Sequence, residues 1–307
     1  MTAVLSAESG DVEKIAVIIG ECKRMGIPVL PPDINESFGD FTVIKNAQDP
    51  NLSEKAKKLA TKNPDPIDKI RFGLFTIKNL GTEIAKFIVA ERKKNGLYLD
   101  LGDFLTRIKH KNLNKKSLEA LAKAGALDSL GESRGKILAN LEEILSFNRE
   151  ETKSNVNQTS LFGLMTNNAP RLTLKLREAE PIEPRLKLAW EKELLGLYVS
   201  GHPLDNHREK FNKKENTICY LKNKAEGFPV ITGGIIGEIR VIFTKNNKQM
   251  AFFKLLDFND MIECVAFPDV FEKYKNLLVE DKCVALKGKL NHRNGDPSVL
   301  MEAIKEL

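Results

Sequence analysis

From Asn148 to Pro170 the chain offers almost nothing that a hydrophobic core could use. Residues 148–157 are mostly charged and amide side chains, and Met165-Thr166-Asn167-Asn168-Ala169-Pro170 reads as loop. Between them stands one short apolar knot, Leu161-Phe162-Gly163-Leu164, preceded by Gln158-Thr159-Ser160. A chain interrupted in this way cannot build one continuous core. At 307 residues and 42% apolar content it is expected to split into two to four domains. The knot cannot bury itself between polar flanks either. Leu161 and Phe162 therefore either tack the linker onto a neighbouring domain or enter an apolar pocket on a second protein, with Gln158 in a polar notch.

Other classes are disfavoured by composition. No apolar run approaches the ~18 residues of a membrane span, and Met1-Thr2-Ala3-Val4-Leu5 lacks the basic-then-apolar pattern of a secretory signal. Cys22, Cys219, Cys264 and Cys283 stand far apart, which suits free thiols in a reducing cytoplasm. His202 and His207 have no cysteine or acidic cluster at ligand spacing, so no metal site is expected. The net charge of +6 is unevenly spread. Residues 67–150 carry 16 basic against 11 acidic side chains, whereas residues 228–307 balance at 11 each. The surplus in the middle is the mild footprint of a module that binds a polyanion.

Local patterns fill in the first half. From Asp11, a plausible N-cap, Val12, Ile15, Ala16 and Ile19 recur at helical spacing until Met25-Gly26. Pro28, Pro31 and Pro32 prevent another helix from starting there. Phe41 to Ile44 reads as a strand and Leu52 to Thr61 as a short basic helix.

Residues 70–150 then read as a helix, a tight hairpin at Ile77-Lys78-Asn79-Leu80-Gly81, and a helix from Thr82 with Ile84, Ala85, Ile88 and Val89 inward. A backbone that aims N–H groups at a phosphate needs a turn with positive φ and no bulky side chain, and Asn79 and Gly81 supply residues that tolerate it. The following helix N-terminus adds partial positive charge. Lys78, Asn79, Leu80, Gly81, Thr82 and Lys86 are the candidate DNA contacts, set against the alternative of an ordinary αα-hairpin. A weaker second copy is expected from Leu113–Lys123, a turn at Ala124-Gly125-Ala126-Leu127-Asp128 and a helix over Glu132–Phe147, which adds Gly125. Arg107, Lys109, Lys111, Lys115 and Lys116 make the connection between the copies basic.

The C-terminal stretch alternates like a barrel. Pro229–Phe243, Met250–Leu256 and Met261–Phe267 read as strands, Pro268–Leu278 as a helix, and Cys283–Leu290 and Ser298–Ile304 as two more strands. Three strands, a helix and two strands is the order of the oligonucleotide-binding (OB) fold. Such folds bind single strands by stacking bases on aromatics. Phe243, one of the neighbours Phe252 and Phe253, and Lys254 are the candidates.

Taken in order, these segments resemble one family. Glu21 to Asn35 (Glu-Cys-Lys-Arg-Met-Gly-Ile-Pro-Val-Leu-Pro-Pro-Asp-Ile-Asn), the paired hairpins, the Gln158–Phe162 peptide, Ser200-Gly201-His202-Pro203-Leu204 and the barrel resemble the alpha subunit of bacterial DNA polymerase III. The resemblance implies a multidomain α+β chain: residues 1–66 as the end of the fingers, 67–150 as a tandem helix-hairpin-helix domain, 151–227 as a linker with a connecting helix, and 228–307 as a five-stranded OB-fold barrel. It implies that Gln158, Leu161 and Phe162 bind the sliding clamp (the beta subunit), and that duplex and single-stranded DNA and other replicase subunits are further partners in the cytoplasm. It also implies what is missing. The family's metal-holding carboxylates, and with them Mg²⁺ and nucleotidyl transfer, belong to a palm upstream of Met1. Asp65, Asp68, Asp257 and Asp260 match none of them, so no catalytic residue and no cofactor is expected in this chain. A free-standing adaptor that tethers the clamp to DNA is the alternative.

Overall fold

Helix α2 (Val12–Arg24) starts where the Asp11 carboxylate accepts the Lys14 N–H at 3.1 Å. It stops at Gly26, whose φ of 72° only a residue without Cβ adopts at little cost. A short α1 (Thr2–Ala7) precedes it. The proline-punctuated chain after Gly26 makes only a small sheet, in which β1 (Val29–Leu30) runs parallel to β3 (Lys69–Arg71) and β2 (Thr42–Ile44) antiparallel to it. The structure, a computed structural model, describes residues 1–45, 68–157, 174–211, 217–258, 260–293 and 295–307. The helix expected over Leu52–Thr61 and the Gln158–Phe162 peptide lie outside the described residues.

The chain forms two compact units, Met1–Ser200 and Gly201–Leu307, and among the described residues the first has six further α-helices. They are α3 (Thr82–Asn95), α4 (Leu101–Arg107), α5 (Lys115–Lys123), α6 (Arg134–Ala139), α7 (Leu141–Asn157) and α8 (Pro184–Leu195). One core joins them to the small sheet: Cys22, Ile34, Phe72, Ile84, Ile88, Phe104, Leu118, Leu121 and Leu194 are all buried in it. Each such apolar side chain contributes on the order of 1.5–3 kcal/mol by leaving water. Polar clasps add direction. The Ile34 N–H donates to the Ala126 carbonyl at 2.9 Å. The Asn35 amide meets Tyr98 twice, Nδ2 donating to its carbonyl at 2.9 Å and Oδ1 accepting its N–H at 2.8 Å.

The single helix expected over Glu132–Phe147 is two, α6 and α7, broken at Asn140 (φ −118°, ψ 24°). The Asn140 side chain has other partners: its Nδ2 donates to the carbonyls of Lys136 and Arg177, and its Oδ1 accepts the Arg177 N–H at 2.8 Å. An amide that serves distant backbone competes with helix continuation.

In the second unit, α9 (Arg208–Phe211) and α10 (Ile218–Leu221) precede a closed barrel. Its strands are β4 (Pro229–Phe243), β5 (Gln249–Leu256), β6 (Met261–Ala266), β7 (Cys283–Arg293) and β8 (Asp296–Glu306), with α11 (Pro268–Tyr274) between β6 and β7. Going round, the order is β4-β5-β6-β8-β7, and β4 closes it by pairing with β5 and then β7. β6 and β8 are the parallel pair. Closure brings backbones together at Gly234, where a Cβ would lie 2.6 Å from the Leu256 carbonyl oxygen. Phe253, Leu255, Cys264, Leu286 and Val299 fill the interior.

Candidate nucleic-acid interface

The first hairpin stands on a tight chain crossing. A Cβ at Gly73 would lie 2.7 Å from the Asp40 Cα, so β3 passes into a single 3-10 turn, Leu74–Thr76, and not the α-helix expected there. Two contacts hold the hairpin after this turn. Lys78 N–H donates to the Leu194 carbonyl at the end of α8 (2.9 Å), and Leu80 N–H donates to Ile77 (3.2 Å) with its side chain buried. Lys78, Asn79, Gly81, Thr82 and Lys86 all remain exposed.

The left-handed residue of the hairpin is Asn79, at φ 68°. Gly81 departs from expectation: its backbone is extended (φ −65°, ψ 145°), and it is the N-cap of α3. Its missing side chain serves openness instead, since nothing lies within 4 Å of where a Cβ would stand. No side chain caps α3, and among the described residues no acceptor meets the N–H groups of Gly81, Thr82 or Glu83. Four orphan donors are normal at a helix start; here the residues that carry three of them, Gly81, Thr82 and Glu83, are exposed and no side chain caps the helix. Glu83, the acid of this turn, is drawn to Lys86 at 3.3 Å.

The turn at Gly125 is built differently. Gly125 has φ 80°, but its N–H is already given to Ala122 (3.1 Å) and that of Ala126 to Leu121 (2.9 Å). A Cβ there would lie 2.7 Å from Arg134 Cζ. Asp128 grips that guanidinium in a two-pronged pair, Nε to Oδ1 at 3.0 Å and Nη2 to Oδ2 at 2.7 Å. Glu191 of α8, fully buried, lies 3.8 Å from Arg134 Nη1 and accepts the N–H groups of Val199 and Ser200. Gly125 thus makes room for a buried arginine.

Gly125 is a left-handed residue between α5 and α6, as Asn79 is before α3. A further turn, without a positive-φ residue, lies earlier in the connection between α4 and α5. Leu113 is buried like Leu80, donates its N–H back to His110 (2.9 Å), and is followed by the N-cap Asn114 as Leu80 is by Gly81. Asn114 and Ser117 form a reciprocal capping box, and Lys115 and Lys116 occupy the first turn of α5. His110 accepts the Asn112 N–H on Nδ1 at 3.1 Å and lies against Phe87, ring centroids 5.2 Å apart. The spacing Asn-x-x-Ser is the signal in the sequence for the α5 cap.

On the barrel, Arg240 pairs with Phe252 across β4 and β5, and Ile242, Lys254 and Glu263 join them around a shallow depression of about 280 Å³. Phe252 is half-buried there, whereas Phe253 is 1% exposed and fills the barrel core, so it cannot stack on a base. Phe243, 64% exposed, belongs to the alternate face of β4 and does not line the depression. Lys254 is not a free cation: it sits 3.0 Å from Glu238, and its hydrogen bond holds that carboxyl below the ordinary carboxylate pKa. His202 lies against Phe258 at 4.7 Å. Among the described residues no group of three His, Cys, Asp or Glu side chains is placed to hold a metal, and no helix is long and apolar enough to cross a membrane.

Two modules thus carry the features: a helical unit with an open hairpin, and a closed five-stranded barrel. Residues 26–137 match the family model described as helix-hairpin-helix motif, and residues 232–307 that of the OB-fold nucleic acid binding domain. The chain is therefore built of nucleic-acid-binding modules. It belongs to the DNA polymerase III alpha subunit family. It is 37% identical to the DNA polymerase III subunit alpha of Aquifex aeolicus over 94% of its own length and 21% of that relative. With the subunit of Borreliella burgdorferi it shares 33% identity over 99% of its own length and 25% of the relative's. The chain thus spans between a fifth and a quarter of the curated relatives it matches. Among solved structures, the mitochondrial single-stranded DNA binding protein Rim1 of S. cerevisiae matches 27% of this chain at 13% identity and a TM-score of 0.23.

Proposed function

We propose that this segment handles DNA for a replicative polymerase: it grips duplex through its hairpins, docks the sliding clamp through Gln158, Leu161 and Phe162, and contacts single-stranded template on the barrel. The observation that carries the duplex reading is the uncapped start of α3, where the exposed N–H groups of Gly81, Thr82 and Glu83 stand beside Lys78. Unmet donors and the helix dipole together favour a phosphate. No long side chain here is set on a groove-entering helix, so the backbone and not the base edges is the partner. We assign no step of nucleotidyl transfer to residues of this chain.

The test is a salt series by fluorescence anisotropy on two duplexes of unrelated sequence. Lys78→Ala should weaken both equally and flatten the log–log salt dependence by about 0.9, the value of one phosphate contact. Strong preference for one duplex, or affinity indifferent to salt, defeats the reading.

For the barrel, the stacking candidate is Phe252 beside Arg240. Phe252→Ala in the full chain should weaken binding of a single-stranded oligonucleotide by ~1–3 kcal/mol, the worth of one stacked base. Phe243→Ala should do less, since that ring stands on the other face of the strand. A reversed order of the two effects would place the binding surface on the opposite side of the β4–β5 hairpin.

A further inference from the structure

The turns that lead into α3 and α5 differ in backbone, since only the first has a left-handed residue, Asn79, and they differ in what they offer an anion. The α3 start is bare, with open amides and Lys78 nearby; the α5 start is closed by its capping box and surrounded by lysines. Beside the second turn runs an open groove of about 950 Å³ between residues 109–115 and α7. Lys109, Lys111 and Lys115 line one side, and Ser146 and Arg149 of α7 the other. Among the described residues a single acid, Glu142, borders it, paired to Lys115 at 3.5 Å with both side chains largely exposed. Asn148 fixes the walls relative to each other by donating from Nδ2 to the carbonyls of Leu105 (2.7 Å) and Ile108 (3.0 Å). The apolar residues beneath, Leu113 and Leu145, are buried and offer no pocket to a peptide side chain.

We propose that this groove is a second seat for the phosphodiester backbone of duplex DNA, with α7 as its outer wall and Arg149 as a contact that belongs to neither turn. The inference rests on the duplex reading of the first hairpin and deepens it, because the two seats act through different physics. The first holds a phosphate by main-chain amides in one fixed geometry. The second holds backbone by side-chain charge, so it releases more counterions and supplies most of the salt dependence.

The full chain with Lys111→Ala and Arg149→Ala together should lose roughly two contacts' worth of salt slope. The affinity lost between ~50 and ~200 mM salt should then shrink by about tenfold relative to the unsubstituted chain. Arg149→Lys with Lys111 restored should regain the original slope, because charge and not shape is what the groove supplies. Gly81→Val, by contrast, should weaken binding at every salt concentration with the slope kept. An unchanged slope in the Lys111→Ala, Arg149→Ala chain while duplex still binds overturns the second seat and leaves the first standing. Failure of the unsubstituted chain to bind duplex overturns both. Displacement of duplex by polyglutamate that depends on Arg149, with the slope unmoved by either substitution, would make the groove a peptide site and overturn the proposal as well.

Discussion

Gly125→Val should unfold the helical unit about 10 °C or more below the parent chain in a thermal melt followed by circular dichroism. Two costs combine. A β-branched residue at φ 80° occupies backbone space that is nearly closed to it, at 1–2 kcal/mol or more. The Cβ also enters the space of Arg134, 2.7 Å from its Cζ, so the guanidinium must leave the grip of Asp128 and the neighbourhood of Glu191. Stranding a fully buried carboxylate such as Glu191 costs roughly 3–5 kcal/mol when its partner goes. Against a total stability of ~5–15 kcal/mol, the sum is severe, and each kcal/mol is worth ~2–4 °C in a unit of this size. Gly81→Val makes the contrast. Its backbone is extended and its surroundings empty, so the same substitution should leave the melt unchanged and reduce only DNA affinity. Equal falls in melting temperature for the two variants would contradict this division between a packing glycine and an access glycine.

The second large effect concerns the clamp. Leu161→Ala with Phe162→Ala should weaken association with the cognate sliding clamp by about a thousandfold in a titration of the purified proteins. Apolar anchors that enter a pocket dominate such contacts, each worth ~2 kcal/mol or more on truncation, and 1.4 kcal/mol is tenfold. Gln158→Ala should cost less, since a neutral hydrogen bond is worth ~0.5–1.5 kcal/mol. The circular dichroism spectrum should not change. Undiminished affinity in the double variant would leave the peptide as a tether for the chain itself.

Much of the architecture was legible because it is local. The barrel's strands alternate and its turns carry Asn, Asp and Gly, so the order of three strands, helix and two strands could be read to within a few residues. Asn79 was recognisable as a residue that tolerates positive φ, and it adopts it. What was missed depends on partners distant in sequence. Gly125 and Gly81 are both turn glycines to a reader of sequence, and only Arg134, nine positions on, decides that the first serves packing. Between Phe252 and Phe253, alternation guarantees that one points inward but not which; the pairing of Phe253 with Ile239 beyond a bulge at Ile236 sets it. The helix that continues past Asn140 on propensity stops because Arg177 claims the Asn140 amide.

That clasp has a consequence for how the chain tolerates damage. α7 ends at Asn157 and the described chain resumes at Leu174, and both belong to the unit Met1–Ser200. Beyond Leu174, Asn140 holds Arg177, Lys136 meets Glu178 at 2.9 Å, Leu194 and Leu195 enter the core, and the Leu194 carbonyl steadies the first hairpin. A protease that cut anywhere in residues 158–173 would sever the polypeptide without parting its halves. The two fragments would remain one noncovalent particle, and the scission would be visible only once a denaturant dissolved the interface between them.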